Sequence, residues 1–499
     1  MEKRDVLKIC RESGFFLDRS ILDFFIELEI KEVERIIKKL KGFHINERIL
    51  SKNILNKYKD RLGLKNEESR DRKNGIDILK NIKGRSGKLE AGDFVSYFRS
   101  RFESLRDILI KNGELDNLSS IRRIGRENGV FCIIGMVYSK RITKNKNLFI
   151  EVEDLTGKSI VLINKENKEL FIRAQNLLLD DIVAFRVSGS NKMLFANDFI
   201  YPDAKLKKEN IGDRDEFIAF VSDFHIGSKM FLEGNLMRFV DWLNGKIGDS
   251  RQKNLAQKVR YLILSGDNIE GVGVYPNQEK FLKIKGCRKQ YEKLADILGM
   301  IRKDIEIVMC PGQYDAVWVG EPQSAINEKW SGDLNNMENL KLVSNPSIVK
   351  IRGLNILVYY GGSVNQFRNL ISGGRDLNIN DFTNEILKRR HLAPVYGEMD
   401  IIPNKNIDDL IINELPDVFV VSGQHRAMIG NYNNILTIST SCWQSRTDFE
   451  TKVGSEPDPC KVPILNLKSK EIKILDFSGK DIVWESGDDL VCELEDYKK

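Results

Sequence analysis

Hydrophobic residues recur at helical spacing near the start of the chain, within the segment IKEVERIIKKL at 30–40. A period of three to four residues predicts an amphipathic helix. The apolar side chains that share one face of this helix are Val33, Ile36, Ile37 and Leu40. We therefore expect a helical N-terminal domain over residues 1–60. Residues 61–94 are charged and poor in large apolar side chains, which is typical of a linker.

A second amphipathic helix is predicted at 96–115, and after residue 129 the hydrophobic pattern shortens to strands. Five predicted strands, with a helix between the third and the fourth, are typical of an OB-fold β-barrel. We therefore predict a helix plus OB-fold over 95–205. Such barrels often hold single-stranded nucleic acid, although a basic loop can also simply keep a sheet edge soluble. The basic residues that could contact DNA in this loop are Lys140, Arg141, Lys144 and Lys146.

Apolar strands alternate with amphipathic helices from residue 216 onward. The strands are continuously apolar and end in Asp or Gly, a pattern that indicates a buried α/β sheet with polar chemistry at the strand ends. We expect this domain to span 215–485, followed by an acidic tail at 486–499. The principal predicted strands are 217–223, 259–267, 305–312, 354–362 and 417–423.

Composition narrows the class of protein. A chain of 499 residues is too long for one core, so two or three domains are expected. It contains no apolar run near the roughly 18 residues that cross a bilayer. The net charge of +6 is compatible with nucleic acid but does not indicate it. The 7 cysteines are odd in number and lack CxxC spacing, which argues against a disulfide framework and favours a cytoplasmic protein.

Acidic and imidazole side chains follow the predicted strand ends. Asp223 and His225 come after one strand, and Asp267 comes after the next. A pair of divalent metals needs a bridging carboxylate and several further oxygen and nitrogen donors. Together with PGQYDA (311–316) and SGQHR (422–426), these residues form an ordered series. It resembles the calcineurin-like metallophosphoesterase superfamily, whose pattern is DxH, GD, GNHD, a single His, and GHxH.

Longer segments make the resemblance more specific, at 265–279, 387–398, 415–425 and 439–450. They resemble the small subunit of archaeal DNA polymerase D (DNA polymerase II), a family related to the B subunits of eukaryotic replicative polymerases. The resemblance covers about 95–470. It implies an α+β multidomain fold: a helical N-terminal domain, an OB-fold barrel and a calcineurin-like α/β metallophosphoesterase sandwich.

The same resemblance implies a role in DNA replication. The expected partners are a large catalytic polymerase subunit, forming a heterodimer, and DNA, and binding of a sliding clamp is left open. No membrane is involved. In the archaeal family the resemblance also implies 3′–5′ exonuclease activity with two manganese-type metals.

The positions that match the family's third and fourth motifs hold different residues here. Where the family has Asn and His, this chain has Gln313 and Tyr314, so the histidine that would protonate the leaving oxygen is missing. At the position of the family's single His, this chain has Tyr360. Removing general acid help alone typically costs about 100- to 10,000-fold in rate.

The last motif departs as well. When GHxH is aligned with residues 423–426 without a shift, Gln424 and Arg426 stand at its two ligand positions. A one-residue slip in an extended segment turns a side chain to the opposite face, so His425 is expected to be an ordinary loop histidine. Arg426 could instead neutralise Asp223 and Asp267 in place of a metal.

The ligand remnants are therefore Asp223, His225 and Asp267, with no intact catalytic residue. We expect either no metal or one weakly bound manganese or magnesium ion. The predicted function is a small polymerase subunit whose own exonuclease activity is lost or weak. One alternative is an active exonuclease that uses Gln313, His425 and perhaps Gln424 as an altered ligand set. Another is a stand-alone phosphoesterase.

Overall fold

The structure is a computed structural model. By its contacts the chain divides into a first unit, Met1–Gly75, and a second unit, Ile76–Lys499. The structure describes residues 6, 10–11, 13–17, 25, 30–42, 49–50 and 75–486, except for 85–87, 114, 126–128 and 372–377.

The first unit contains one described helix and a short pair of strands. Strand β1 is Phe16–Leu17, helix α1 is Ile30–Gly42 and strand β2 is Ile49–Leu50. β1 and β2 pair in parallel. The four apolar residues predicted to share one face of α1 are at most 2% exposed, which confirms that prediction. Most of the predicted helical domain, residues 61–74 of the predicted linker, and 487–499 of the predicted tail lie outside the described residues.

The second unit begins with a strand, a long helix and a closed barrel. In the barrel the strand order is β4-β5-β6-β8-β7, and β7 closes onto β4. The five strands and the helix between the third and the fourth occur as predicted. In chain order these elements are β3 (Ile76–Lys80), α2 (Ala91–Lys111), β4 (Gly129–Ile142), β5 (Leu148–Asp154), β6 (Gly157–Ile163), α3 (Lys168–Gln175), β7 (Ile182–Ser190) and β8 (Met193–Ile200).

The remaining elements form two sheets and the helices that flank them. In chain order they are β9 (Phe217–Val221), α4 (Glu233–Leu243), α5 (Ser250–Lys258), β10 (Val259–Ser265), α6 (Cys287–Gly299), β11 (Glu306–Cys310), α7 (Glu328–Ser331), β12 (Leu340–Leu342), β13 (Ser347–Ile351), β14 (Leu354–Tyr359), α8 (Val364–Leu370), α9 (Ile379–Arg389), β15 (Val418–Val421), β16 (Met428–Tyr432), β17 (Ile435–Ser439), α10 (Asp448–Val453), β18 (Lys461–Asn466), β19 (Ile472–Asp476) and β20 (Val483–Ser486).

The two sheets pack face to face with helices on their outer sides. One has the strand order β12-β11-β10-β9-β18-β19-β20, and the other has the order β16-β17-β15-β14-β13-β3. Along β9, Ile218 and Phe220 join the core between the sheets, while Ala219 and Val221 pack with α4 and α6. Successive side chains of a strand point to opposite faces. Burial on both faces explains why these strands are apolar throughout.

Part of the predicted linker at 61–94 is a strand, so that prediction is wrong for this part. β3 pairs antiparallel with β13 at the edge of the second sheet. Its residue Ile76 is fully buried in the core between the sheets. The composition of the segment does not indicate this strand, because charged residues surround it in the sequence.

Two buried arginines fasten the helix α2 and the barrel to the sandwich. Arg101 of α2 donates from Nε to Asp408 Oδ2 at 2.6 Å. Arg389 of α9 donates from Nε to Asp181 Oδ1 at 3.1 Å, beside the first residue of β7. Removing one partner of a buried ion pair typically costs about 3–5 kcal/mol, because the other charge is left uncompensated.

The structure also bears on redox state and membranes within the described residues. Among the helices that it describes, none combines the length and apolar character that crossing a membrane requires. None of the six described cysteines forms a disulfide. Cys492 lies outside the described residues.

Candidate metal centre

The predicted strand ends converge on one crevice. β9 and β10 are parallel neighbours, and the residues that follow them lie close together. Asp223, His225 and Asp267 all have positive φ, at 51°, 48° and 46°, which is uncommon for residues other than glycine. The His225 N–H donates to the Asp267 carbonyl at 3.1 Å. These turns bring the three side chains together as predicted.

His225 is held by a carboxylate that the sequence prediction missed. Its Nδ1 donates to Glu270 Oε2 at 2.9 Å. Glu270 is itself fixed, since the Tyr275 hydroxyl donates to its Oε1 at 3.2 Å. The His225 Nε2 is buried, has no hydrogen-bond partner, and lies 3.9 Å from Asp267 Oδ2. A carboxylate behind a histidine fixes the ring and its tautomer for a ligand on the other nitrogen.

His425 lies in the crevice, so the prediction that it is an ordinary loop histidine is wrong. Its Nε2 is 3.5 Å from Asp223 Oδ1. The alternation argument fails because this segment is a turn, with φ of +73° at Gly423 and +57° at His425. Arg426 is exposed. The prediction that Arg426 replaces a metal by neutralising the buried aspartates is therefore also wrong.

A second missed carboxylate supports His425. Its Nδ1 donates to Glu450 Oε1 at 2.6 Å. The other oxygen of Glu450 accepts from the Thr447 N–H at 2.7 Å and from the Thr447 hydroxyl at 2.8 Å. Thr447 and Glu450 thus form the capping box of α10. The T-x-x-E spacing is a visible signal in the sequence, but its further contact with a distant histidine is not.

Electrostatics favour positive charge in this part of the crevice. Burial opposes the charged form of His425, but Cys442, Asp223 and Glu450 outweigh it and hold the pKa of His425 well above its usual range. Burial likewise opposes charge on His225, yet Glu270 and Asp267 raise its pKa overall. Burial also acts against the ionised form of Glu450, but its bonds with His425 and Thr447 lower the pKa of Glu450 to about 2.

Asp267, which would bridge two metals, is occupied on both oxygens by protein donors. The Tyr314 N–H donates to its Oδ1 at 2.8 Å, and the Tyr360 hydroxyl donates to its Oδ2 at 2.6 Å. Burial and the nearby carboxylates hold the pKa of Tyr360 well above its usual range, so the hydroxyl keeps its proton. Tyr360 therefore takes up the oxygen of Asp267 that a second metal would need.

The neighbouring replaced positions are also turned to other contacts. Gln424 Oε1 accepts from Arg368 Nη1 at 2.9 Å. The amide of Gln313 lies beside Gly362, in space that a larger side chain at that position would need. Asp315 keeps a structural role, because its Oδ2 accepts from the Gly312 N–H at 2.9 Å and organises the turn.

The crevice therefore has two halves that meet at Asp267. We call Asp223, His225 and His425 the cation half, and Gln313, Tyr314, Tyr360 and Gln424 the tyrosine half. Within the described residues, the three side chains of the cation half form the group whose ligand atoms all lie within 4.8 Å of one another. A pair of metals does not fit these residues, since the tyrosine half offers no free imidazole or carboxylate. One cation fits the cation half.

The predicted DNA-contacting loop of the barrel is only partly available. Lys140 donates from Nζ to the backbone oxygens of Gln175 and Leu177, at 2.8 and 2.6 Å. That prediction is therefore not supported for Lys140. The Arg141 guanidinium lies 4.6 Å from the centre of the Phe149 ring. The exposed basic side chains of the loop are Arg141, Lys144 and Lys146.

Carboxylates and histidines thus lie at the strand tips of two packed sheets, and a five-stranded barrel precedes them in the chain. The model of the family that comprises the B subunits of DNA polymerases alpha and epsilon matches residues 218–429. The chain is similar to the DNA polymerase II small subunit of Methanothermobacter thermautotrophicus, at 36% identity over 389 residues, which is 78% of this chain and 80% of that protein. It is also similar to the DNA polymerase II small subunit of Archaeoglobus fulgidus, at 31% identity over 474 residues, covering 94% and 90% of the two chains.

The chain belongs to the DNA polymerase II small-subunit family of archaea. Among solved structures it is similar to one described as a novel archaeal phosphodiesterase, with 14% identity and a TM-score of 0.26. That similarity covers 52% of this chain and 98% of the other. At this TM-score the likeness carries no argument about activity. The family membership makes the chain a small subunit of a replicative DNA polymerase.

Proposed function

We propose that this subunit acts by binding the large catalytic subunit, and that its own 3′–5′ exonuclease chemistry is lost or weak. The observation that carries the proposal is the hydrogen bond from the Tyr360 hydroxyl to Asp267 Oδ2 at 2.6 Å. In a two-metal mechanism the bridging carboxylate and further donors clamp both the attacking and the leaving oxygen. Here a tyrosine takes the place of one metal on that carboxylate.

The proton-transfer side of the reaction supports the same proposal. Tyr314 stands where the family has the histidine that protonates the leaving oxygen. Burial, with Asp267 and Glu270 nearby, raises the pKa of Tyr314 above its usual range. An efficient general acid has a pKa near the working pH. Tyr314 is therefore a poor proton donor at neutral pH.

Part of the structure favours the alternative of an exonuclease with altered ligands, because His425 does reach Asp223. That alternative also uses Gln313 as a donor, with Gln424 as an optional further one. Gln424 Oε1 is already bonded to Arg368, and glutamine amides are weak metal ligands beside imidazole and carboxylate. We therefore rank the altered exonuclease second.

The domain assignment belongs to the same proposal. We assign α2 and the barrel to an OB-fold domain at 95–205 and the two sheets to a calcineurin-like domain at 215–485. The strand order of the barrel and the position of α3 support the OB-fold assignment. The paired arginines Arg101 and Arg389 would then present both domains to the large subunit as one rigid surface.

We further propose that the barrel loop contacts the DNA backbone through Arg141, Lys144 and Lys146. Their exposure supports electrostatic contacts with phosphates, which weaken steeply as salt rises. The affinity of the polymerase complex for single-stranded DNA should depend less steeply on salt when the three residues are changed to glutamine. An unchanged salt slope would overturn this part of the proposal, and Lys140→Gln provides a control inside the same loop.

The exonuclease part is tested with the purified chain, Mn²⁺ and 3′-labelled single-stranded DNA. We expect the unchanged chain to digest no more DNA than the matched variant Asp267→Asn. Robust digestion that disappears in Asp267→Asn would contradict the proposal. The unchanged chain and Asp267→Asn are each co-expressed with the large subunit, and co-purification is measured. Co-purification of the variant shows that it is folded, and co-purification of the unchanged chain tests the assembly role.

A further inference from the structure

Two buried polar atoms in the cation half have no hydrogen-bond partner, Asp223 Oδ1 and His225 Nε2. Asp223 is fully buried and His225 is 3% exposed. Buried polar groups are nearly always paired, and an unpaired one calls for a specific explanation such as an ion. The two unpaired atoms belong to one crevice and, with His425, to one group of ligand atoms.

The spacing of these atoms suits a single ion. Bonds from a divalent transition metal to nitrogen and carboxylate oxygen are about 2.0–2.2 Å long, so two ligands of one ion lie roughly 3–4.2 Å apart. His425 Nε2 is 3.5 Å from Asp223 Oδ1, which falls within that range. The ligand atoms of Asp223, His225 and His425 all lie within 4.8 Å of one another, so a small movement of the side chains brings all three onto one ion.

Both histidines are already oriented for such an ion. His225 and His425 each present Nε2 to the crevice, because Nδ1 of each donates to a carboxylate, Glu270 or Glu450. This is the arrangement that supporting residues give to metal-bound histidines. Nothing comparable exists in the tyrosine half, where Tyr360 and Tyr314 donate to the shared Asp267.

We infer that this chain holds one divalent transition cation in the cation half, on Asp223, His225 and His425, and none in the tyrosine half. Two imidazole nitrogens and a carboxylate favour Mn²⁺ or Zn²⁺ over Mg²⁺ and Ca²⁺, which prefer oxygen ligands. The ion connects the segment after β9 with the turn after β15, and through Glu450 it also secures α10. Its role is therefore to fix the crevice rather than to activate water.

The inference deepens the proposed function but is tested independently of it. The full chain is stripped with a chelator and dialysed against Mn²⁺ or Zn²⁺, and bound metal is counted by atomic emission. We expect one ion per chain and, at saturation near 100 times the dissociation constant, a rise in Tm of about 5 °C. Two ions per chain, or none, would overturn the inference.

Variants locate the ion. Asp223→Asn and His425→Gln should each weaken binding at least about 100-fold, since even supporting residues are worth about 10–100-fold. Gln424→Ala changes a side chain whose oxygen is bonded to Arg368, and it should leave affinity unchanged. Near-UV circular dichroism checks that each variant is folded. Binding that survives Asp223→Asn, or that disappears in Gln424→Ala, would overturn the assignment.

The metal-binding experiment and the digestion experiment test separate proposals, so either proposal can be wrong without the other. If one ion binds but the chain digests DNA, the proposed loss of exonuclease activity is wrong and the cation site stands. If no ion binds and no digestion occurs, the cation site is wrong and the assembly role stands.

Discussion

The two halves of the crevice solve one physical problem in different ways. Each contains buried carboxylate oxygens that need a positive or hydrogen-donating neighbour. In the tyrosine half, Tyr360 and Tyr314 supply that neighbour to Asp267. In the cation half, Asp223 Oδ1 and His225 Nε2 have no hydrogen-bond partner, and His425 Nε2 lies 3.5 Å from Asp223 Oδ1. The difference teaches that protein donors can complete one half of a dinuclear crevice while the other half keeps the arrangement of a metal site.

A buried histidine outside the crevice sharpens the comparison, because its charge preference is opposite. His391 pairs through Nε2 with Asp408 Oδ2 at 2.8 Å, but Arg101 already matches that carboxylate. Burial first, and then the charge of Arg101, lowers the pKa of His391 to about 4. The crevice histidines instead have raised pKa values.

The lowered pKa of His391 gives the largest predicted effect, a loss of stability in mild acid. The unfolded chain protonates His391 near pH 6.5, whereas the folded chain keeps it neutral down to about pH 4. The unfolded state therefore binds more protons in that window, and stability falls as pH is lowered through it, by on the order of 3 kcal/mol in all. Denaturant unfolding at several pH values measures this. His391→Gln should flatten the slope, and an unchanged slope would refute the assignment.

The supporting carboxylates give the next effect. Glu270→Gln and Glu450→Gln should each weaken cation binding about 10- to 100-fold, because each loosens the ring of a liganding histidine. Isothermal titration with Mn²⁺ measures the change. Glu292→Gln, an exposed change of equal charge on α6, is the control and should have no effect. Equal affinity in all three variants would break the comparison between the halves.

In the tyrosine half, Tyr360→Phe should destabilise the chain by about 1–2 kcal/mol. The change leaves Asp267 Oδ2 without its donor in a buried place. Denaturant unfolding at pH 7 measures the loss. Tyr138→Phe, at a tyrosine that is 53% exposed on the barrel, should change stability by less than about 0.5 kcal/mol. If Tyr360→Phe also proved neutral, the hydroxyl would not be completing the crevice.

The smallest effect is expected at Gln424. Gln424→Ala removes one contact to Arg368 at the partly exposed edge of the tyrosine half. Its free energy of unfolding should change by no more than about 0.5 kcal/mol. A loss of several kcal/mol would mean that this edge is a structural centre, and the contrast between the halves would have to be redrawn.

Much of the fold follows from periodicity. The double-sided burial of β9 explains its unbroken apolar run, and the barrel follows from five alternating segments with one helix between them. The short edge strand β3 was not predictable from the composition of its segment, because its five residues are surrounded by a long charged stretch. The pairing of Lys140 with the backbone at Gln175 also depends on tertiary contacts that no local pattern reports.

The residues of the candidate site that directly follow strands could be predicted from the sequence. Asp223, His225 and Asp267 follow buried strands, and their convergence needs only the parallel sheet. His425 was misplaced because the alternation rule assumes extended backbone, whereas positive φ at His425 reverses the side chain. Glu450 was visible only as a helix cap, since its contact with His425 spans 25 residues.

The central claim is that a single cation belongs to the cation half and none to the tyrosine half. Anomalous diffraction from crystals of the full chain soaked in Mn²⁺ tests it most directly. One peak among Asp223, His225 and His425, with the Tyr360 hydroxyl still on Asp267, is the predicted result. A second peak between Asp267 and Gln313, or no peak at all, would contradict the account.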